Sequence, residues 1–170
     1  KDQVSGHAAS YAQARPLYPR ALFDWLAREA PARELAWDAG CGNGQAAVAL
    51  ARDFAAVYAT DPSATQIDAA TPHARVRYAV EPAEQCALGA GSADLVTVAQ
   101  ALHWFDFGRH FAEVMRVLRP DGVYAAWSYG LMRIDPAIDR VLACFEHEVV
   151  GPYWPAERRH VDAGYRDIKF

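Results

Sequence analysis

Short apolar runs alternate with amphipathic, helix-like segments along most of this chain. Runs that are apolar throughout, or that alternate apolar and polar positions, predict strands. The predicted strands are Glu34–Asp38, Ala55–Thr60, Arg75–Val80, Ala93–Ala99 and Val123–Ser128. The fourth is apolar apart from Asp94 and Thr97, as expected of a central strand buried on both faces. Strands that alternate with helices predict a doubly wound α/β fold, a mainly parallel sheet with helices on both faces.

Apolar residues at helical spacing fill the intervals between these strands. The predicted helices are Arg20–Ala30, Gln45–Arg52, Ser63–Ala70, Phe107–Leu118 and Pro136–Val150, with a shorter one over His7–Ala14. The apolar side of the helix before the fifth strand is predicted to contain Phe111, Val114, Met115 and Leu118. The sequence Arg-Pro-Asp-Gly over 119–122 predicts a turn. After Gly151 we expect irregular or partly helical structure, with 166–170 as the start of a further strand.

Polar side chains stand where the predicted strands end. Asp38 and Asp61 close the first two strands, Glu84 follows the third and Gln100 the fourth. The carboxyl ends of parallel strands form the ligand-binding edge of such sheets, so these side chains are expected to converge. An acid at the end of the second strand can accept hydrogen bonds from a ribose diol. The sequence therefore predicts a nucleoside-cofactor site.

Three alternating glycines, Gly40, Gly42 and Gly44, follow Asp38 and precede a helix. They permit a sharp turn and close approach of the backbone to a ligand. A dinucleotide fingerprint would place its third glycine at position 45, where this chain has Gln45. The carboxylate of Asp38 would repel a pyrophosphate but suits a ligand with an ammonium or sulfonium charge.

The overall composition narrows the class of protein. The chain has 170 residues, 52% of them hydrophobic, and a net charge of −4, which fits one globular domain and gives no indication of nucleic-acid binding. The basic cluster over 158–160 is either a solvated surface or a carboxylate-binding clamp. The cysteines are odd in number and widely spaced, so we expect a reducing cytoplasm, and the dispersed acids predict no metal site. No run approaches the roughly 18 apolar residues of a membrane span, no signal-peptide pattern is evident, and the start at Lys1 suggests a missing N-terminus.

The segment over 38–44, with form D-x-G-x-G-x-G, resembles motif I of the class I S-adenosylmethionine-dependent methyltransferases, which have a Rossmann-like fold. Pro82–Glu84, Ala99–Phe105 and Val114–Gly122 are similar to further family segments. Tyr-x-x-x-Arg-Pro-x-Tyr-Pro over 11–19, His-Trp-Phe over 103–105 and Tyr-Trp-Pro over 153–155 resemble the type 11 small-molecule branch, which includes relatives of trans-aconitate methyltransferase.

The resemblance implies a set of cofactor-binding residues. These are Tyr11, Tyr18, Asp38, Gly40, Cys41, Gly42, Gly44, Asp61, Pro62, Ala83, Glu84, Ala99 and Gln100. Alternatives remain open for several: Asp38 or Asp61 as a helix cap, Glu84 as a solvated loop residue, and the two tyrosines as core aromatics instead of a lid. The implied cofactor is S-adenosylmethionine and the implied product S-adenosylhomocysteine.

His103 and Trp104 are the expected catalytic residues, because the matching family segment lines methyl donor and acceptor. An acceptor carboxylate needs no general base, and His103 would then only position it. A hydroxyl or protonated amine needs one, and histidine has a suitable intrinsic pKa. Trp104 is expected as a pocket wall, with Tyr18 nearby. The implied function is in-line methyl transfer to a small-molecule acceptor, a carboxylate or hydroxyl. The alternatives are a non-catalytic S-adenosylmethionine-binding module and an NAD(P)-dependent oxidoreductase.

The resemblance also implies a domain layout. One methyltransferase domain would span 1–170, with an N-terminal helical lid over 1–31, a cofactor-binding core over 32–128, and a substrate-side helix and tail over 129–170. The family's sixth and seventh strands have no counterpart after Ser128, so we expect the C-terminal strands to be missing. The protein is expected to be a monomer or homodimer, with neither a nucleic-acid nor a membrane partner.

Overall fold

The computed structural model describes residues 17–130 and 132–170. The chain divides into two compact units, one up to Ala126 and one from Trp127 to Phe170. The predicted helix over 7–14 and Tyr11 lie outside the described residues. The two units are treated separately below.

The first unit is built on one five-stranded sheet. Its strands are β1 (Leu35–Ala39), β2 (Ala56–Asp61), β3 (Val76–Val80), β4 (Ala93–Ala99) and β5 (Leu118–Trp127), in the order β3-β2-β1-β4-β5. β1 pairs in parallel with β2 and β4, and β2 pairs in parallel with β3. β2 and β3 are added on one side of β1, and β4 and β5 are added on its other side. Since connections between parallel strands are almost always right-handed, this change of side puts the helices on both faces, and the predicted doubly wound fold is confirmed.

The helices of this unit are α1 (Arg20–Glu29), α2 (Gln45–Leu50), α3 (Ala64–Asp68) and α4 (Phe107–Val117), with a 3₁₀ turn over Leu102–Trp104. Each follows from a local signal. Extended backbone at Ala30 ends α1 just before Pro31. The hydroxyl of Ser63 accepts from the amide of Gln66 and caps α3. The predicted helices therefore exist, with ends shifted by one or two residues.

Two predicted details of this unit are wrong. β5 begins at Leu118 and not at Val123, so the predicted turn over 119–122 lies within the bounds of the strand. The turn itself is present, because Asp121 has a left-handed φ of 63° and a Cβ on Gly122 would lie 2.9 Å from the Arg119 carbonyl oxygen. The buried side of α4 is formed by His110, Glu113, Val114 and Val117, whereas Met115 is 67% exposed. The prediction counted only apolar residues, and it therefore placed the buried face of α4 at the wrong angle around the helix.

The core of the sheet lies around β1 and β4. Trp37, Leu95, Val96 and Val98 are fully buried there. At the amino-terminal edge, the buried carboxylate of Asp94 accepts from the amides of Glu34 (2.8 Å) and Leu35 (2.9 Å). It also pairs with the Arg119 guanidinium at 2.7 Å. One carboxylate thus links the starts of three neighbouring strands.

The second unit is helical over its described residues. α5 (Pro136–Cys144) continues into a π-helical turn (Phe145–Val150), followed by a 3₁₀ turn (Gly151–Tyr153) and α6 (Arg158–Asp162). The predicted helix over Pro136–Val150 is present, with a π-helical second half. The expected strand over 166–170 is absent from these described residues, because the chain turns at Tyr165 (φ 60°) and again where Ile168 donates to its carbonyl. No helix among the residues with a described structure is long and apolar enough to cross a membrane.

Candidate cofactor site

The predicted polar residues gather at the carboxyl-terminal edge of the sheet. Strand register places Asp38 beside Thr97 of β4, and Ala39 beside Thr60 of β2. Asp61 follows Thr60 directly, and Ala99 ends β4 two residues beyond Thr97. Adjacent strand ends therefore bring the predicted acids and the segment after β4 to one edge, as the sequence indicated.

The loop after β1 is a tight left-handed turn. Gly40, Gly42 and Gly44 have φ values of 68°, 54° and 87°, which favour glycine. The loop is fixed by the Cys41 amide, which donates to the Thr60 carbonyl at 2.9 Å. Burial, followed by the charges of nearby carboxylates, raises the pKa of the Cys41 thiol, which therefore remains protonated.

Two of these glycines are required by the protein's own packing. A Cβ on Gly40 would lie 2.7 Å from the Ala101 methyl group and 2.8 Å from the Phe105 ring. A Cβ on Gly44 would lie 2.9 Å from ring atoms of Tyr78 and closer still to its hydroxyl. The sequence predicted glycines for approach to a ligand. At these two positions, the space of the missing side chain is instead taken by neighbouring side chains.

Asp38 is completely buried at the end of β1. The Thr97 hydroxyl donates to its Oδ1 at 2.9 Å. The N-cap position of α2 is Gly44, and the alternative of Asp38 as a helix cap stays a prediction. Burial, followed by electrostatic interactions with Cys41 and Asp38, raises the pKa of the nearby Tyr78 hydroxyl to about 12. The carboxylate thus supplies negative charge at the sheet edge.

Asp61 joins the glycine loop to the turn after β2. Its Oδ2 accepts from the Gly42 amide and its Oδ1 from the Ser63 amide, both at 2.9 Å. A carboxylate is a hydrogen-bond acceptor, so Asp61 is of the chemical type that suits the hydroxyls of a ribose diol. Pro62, between the two contacts, is exposed.

The loop after β3 is tied to the start of α4. Glu84 Oε1 accepts from the Asp106 amide at 2.9 Å, so Glu84 is not merely a solvated loop residue. The carbonyl of buried Ala83 accepts from His110 Nδ1 at 2.7 Å. These contacts fix the backbone beside Glu84, one of the residues predicted to bind the cofactor.

His110 was missed by the sequence reasoning. It is fully buried, and burial lowers its pKa, so the ring is neutral. With Nδ1–H donating to Ala83, Nε2 accepts from the Tyr124 hydroxyl at 3.2 Å. Its ring centroid lies 4.8 Å from that of Phe105, next to the segment after β4. Spacing of four and seven residues to Val114 and Val117 is the signal that could have placed it on the buried side.

The segment after β4 carries the predicted catalytic pair. Gln100 has a left-handed φ of 59°, and its buried Nε2 has no hydrogen-bond partner among the described residues. The rings of His103 and Trp104 are 4.7 Å apart, and Trp104 is 45% exposed. An exposed tryptophan favours a pocket wall over a core position. Direct contact of this pair with an acceptor stays a prediction.

Tyr18 packs edge-on against Phe23 of α1, with ring centroids 6.4 Å apart. This contact supports the alternative of a packing aromatic, and a lid role stays a prediction. No group of three metal-ligating side chains occurs within the described parts of the chain.

These hydrogen-bonding groups fit a nucleoside cofactor that carries a positive charge. Two carboxylates at adjacent strand ends can meet ribose hydroxyls and a cationic group, and Gln100 Nε2 is a buried donor without an acceptor in the described part of the chain. The fold and this edge define a doubly wound α/β domain with a nucleoside-cofactor site.

The comparisons with known proteins identify the family. The family described as "Methyltransferase domain" matches residues 37–126, more than half of the chain. The chain belongs to this family, the class I S-adenosylmethionine-dependent methyltransferases. The predicted family is thereby confirmed. The branch related to trans-aconitate methyltransferase stays a prediction.

Individual relatives agree. A Dictyostelium discoideum protein named as a methyltransferase is 40% identical over 99% of this chain and 65% of its own length. A Saccharomyces cerevisiae protein named as an S-adenosylmethionine-dependent methyltransferase is 30% identical, covering 72% of this chain and 45% of the relative. The structure of an Anaeromyxobacter dehalogenans protein described as a type II methyltransferase is 51% identical with a TM-score of 0.84, covering 92% of this chain and 66% of that one. The chain thus spans about two thirds or less of these relatives.

Proposed function

We propose that this chain binds S-adenosylmethionine at the carboxyl-terminal edge of the sheet and transfers its methyl group to a small-molecule acceptor. The observation that carries the proposal is Asp61, whose carboxylate stands at the end of β2 and holds both the glycine loop and the turn after β2. The proposed setting is the cytoplasm, with the protein acting as a monomer or homodimer. The cofactor supplies an electrophilic methyl group on a sulfonium sulfur and leaves as S-adenosylhomocysteine.

Different residues at this edge are proposed to bind different parts of the cofactor. Asp61 and Pro62 would meet the ribose, and Ala83 and Glu84 the adenine. The loop over 40–44, including Cys41, would hold the methionine portion, with Asp38 opposite its positive charges. Ala99 and Gln100 would border the reacting group, and Tyr11 and Tyr18 would cover the site. Proximity and orientation of this kind supply about 7–11 kcal/mol of rate acceleration.

His103 and Trp104 are proposed to face the acceptor. For a hydroxyl acceptor, an imidazole nitrogen of His103 takes the proton as the acceptor oxygen gains the methyl group. For a carboxylate acceptor, His103 only orients the nucleophile. Trp104 forms an apolar wall that excludes water, consistent with its exposed ring beside His103.

Calorimetric titration with S-adenosylmethionine and S-adenosylhomocysteine tests the binding proposal. Asp61→Asn is expected to weaken binding about tenfold or more, because a charged acceptor is lost from a hydrogen-bonded ligand contact. Asp68→Asn removes an exposed acid on α3 and serves as the matched control, with unchanged affinity. Tighter binding of NAD or NADP than of the adenosyl ligands would overturn the proposal in favour of an oxidoreductase.

Turnover of an identified acceptor tests the catalytic assignment. His103→Ala is expected to lower kcat about 10²-fold or more if the acceptor must lose a proton. The affinity of His103→Ala for S-adenosylhomocysteine should equal that of the wild type within error. The control variant His73→Ala, in the loop before β3, should have wild-type activity. Equal turnover by wild type, His103→Ala and Trp104→Phe would remove both residues from the mechanism. Tight cofactor binding without methyl transfer to any acceptor would support a non-catalytic binding module.

A further inference from the structure

The second unit contains a cleft of about 760 Å³ formed by its own residues. Four arginines line it, namely Arg133, Arg158, Arg159 and Arg166. Glu146 and Asp162 are the carboxylates among its lining residues, so the wall carries an excess of positive charge. None of the predicted cofactor-binding residues is among the residues that line it.

Both lining carboxylates are already paired with one of these arginines. Arg158 Nη2 donates to Glu146 Oε1 at 2.8 Å, and its Nε donates to Asp162 Oδ1 at 3.0 Å. The same guanidinium lies over the Trp154 ring, 4.6 Å from its centroid. Arg158 is therefore a fixed part of the wall, and its charge is balanced within the protein.

The other arginines keep their charge unbalanced. Within the described part of the chain, Arg133 and Arg159 have neither a hydrogen-bond nor an ion-pair partner, and both are exposed. Arg166 makes only a long contact of 3.4 Å to the Ala163 carbonyl. A guanidinium offers a planar fork of donors that matches a carboxylate or phosphate group. Several such forks in one concave site favour an anionic ligand.

We propose that this cleft binds a small organic anion bearing a carboxylate or phosphate group. Arg133 and Arg159 form charge-assisted hydrogen bonds to the anionic group, and Arg166 adds positive charge. The stacked Arg158–Trp154 pair provides a flat wall for the organic part. The proposal goes beyond the proposed methyl transfer and does not depend on it.

Calorimetry at low ionic strength with glutarate and with glycerol 3-phosphate tests this site. Saturable binding of either probe is expected, and the tighter one identifies the preferred anionic group. Arg133→Gln and Arg159→Gln should each weaken binding about tenfold or more, because each removes a charged hydrogen-bond donor. Arg140→Gln removes an exposed positive charge from α5 outside the cleft, and should leave the affinity unchanged. Dimethyl glutarate, which lacks the charge, should not bind.

Equal losses in Arg140→Gln and Arg159→Gln would overturn the proposal, because they would reveal general attraction instead of a site. Absence of saturable binding of both probes to the wild-type protein would also overturn it. Circular dichroism confirms that each variant is folded. Titration of the same samples with S-adenosylhomocysteine separates the two proposals: Arg159→Gln should retain this ligand, and Asp61→Asn should retain the anion probe.

Discussion

Gly44 and Gly91 both adopt left-handed backbone, with φ values of 87° and 62°, but their surroundings differ. A Cβ on Gly91 meets nothing within 4 Å, whereas one on Gly44 would overlap the Tyr78 side chain. Gly91→Ala should therefore lower the free energy of unfolding by about 1 kcal/mol from backbone strain alone. Gly44→Ala should lower it by about 3 kcal/mol, because overpacking adds to the strain. Urea denaturation of the two variants measures this difference.

Removing the obstructing ring provides the control for the Gly44 prediction. In a Tyr78→Ala background, Gly44→Ala should cost no more than Gly91→Ala does. An undiminished loss in that background would show that contact with Tyr78 is not the cause. The sequence correctly predicted a tight turn at these glycines. It did not reveal that Tyr78 fills the space beside Gly44, because Tyr78 lies in β3, more than thirty residues away.

At the scale of the element, α4 is docked through His110. The helix face joins the loop after β3 through Ala83 and reaches β5 through Tyr124. The docked ring must be neutral, because burial lowers its pKa from the ordinary value of 6.5. The unfolded chain binds a proton more readily, so this contribution to stability is fully present above about pH 6.5. It is lost as the pH falls from there through the lower folded-state pKa.

Urea denaturation between pH 7.5 and 5 measures this linkage. The wild-type free energy of unfolding should decrease toward pH 5, and His110→Asn should show a shallower decrease from a lower starting value. Asparagine keeps a donor near the position of Nδ1 but does not titrate. His73→Asn, at a partly exposed position, should retain the wild-type slope. A full wild-type slope in His110→Asn would assign the pH dependence to other groups.

The elements differ in how far the sequence specified them. Runs such as Ala93–Ala99 gave strand bounds that match the structure, because burial on both faces leaves a continuous apolar signal. The prediction began β5 at Val123, because the turn over 119–122 was interpreted as a break before the strand, whereas the strand begins at Leu118 and includes this turn. The buried face of α4 was misplaced because the prediction did not count His110 with the apolar residues at the same helical spacing, and its partners Ala83 and Tyr124 belong to other elements.

At the scale of the whole sheet, the sequence located the candidate site better than it described its contacts. Parallel topology alone brings strand ends together, so Asp38 and Asp61 could be placed at one edge from their positions after apolar runs. Their actual hydrogen bonds, Asp38 with Thr97 and Asp61 with Gly42 and Ser63, depend on register and loop conformation. Position follows from topology, whereas partners follow from packing.

Residues at the two edges of the sheet are expected to differ in role: those at the amino-terminal edge stabilise the fold, and those at the carboxyl-terminal edge bind the cofactor. Asp94 at the amino-terminal edge is buried and holds the starts of β1, β4 and β5 through Glu34, Leu35 and Arg119. Asp94→Ala leaves those donors without their acceptor, and should lower the free energy of unfolding by about 3 kcal/mol. Because the residue lies at the edge opposite the candidate site, the folded variant should bind S-adenosylhomocysteine as tightly as the wild type.

Urea denaturation and calorimetry on the same samples, at a temperature where Asp94→Ala is folded, test both halves of this prediction. Glu29→Ala, which removes an exposed acid from α1, is the control and should change neither quantity. Asp61→Asn should give the opposite profile, with its largest effect on affinity. A marked loss of cofactor affinity in folded Asp94→Ala would show that the two edges are coupled through the strands. Binding would then depend on the register of the sheet as well as on the residues at its carboxyl-terminal edge.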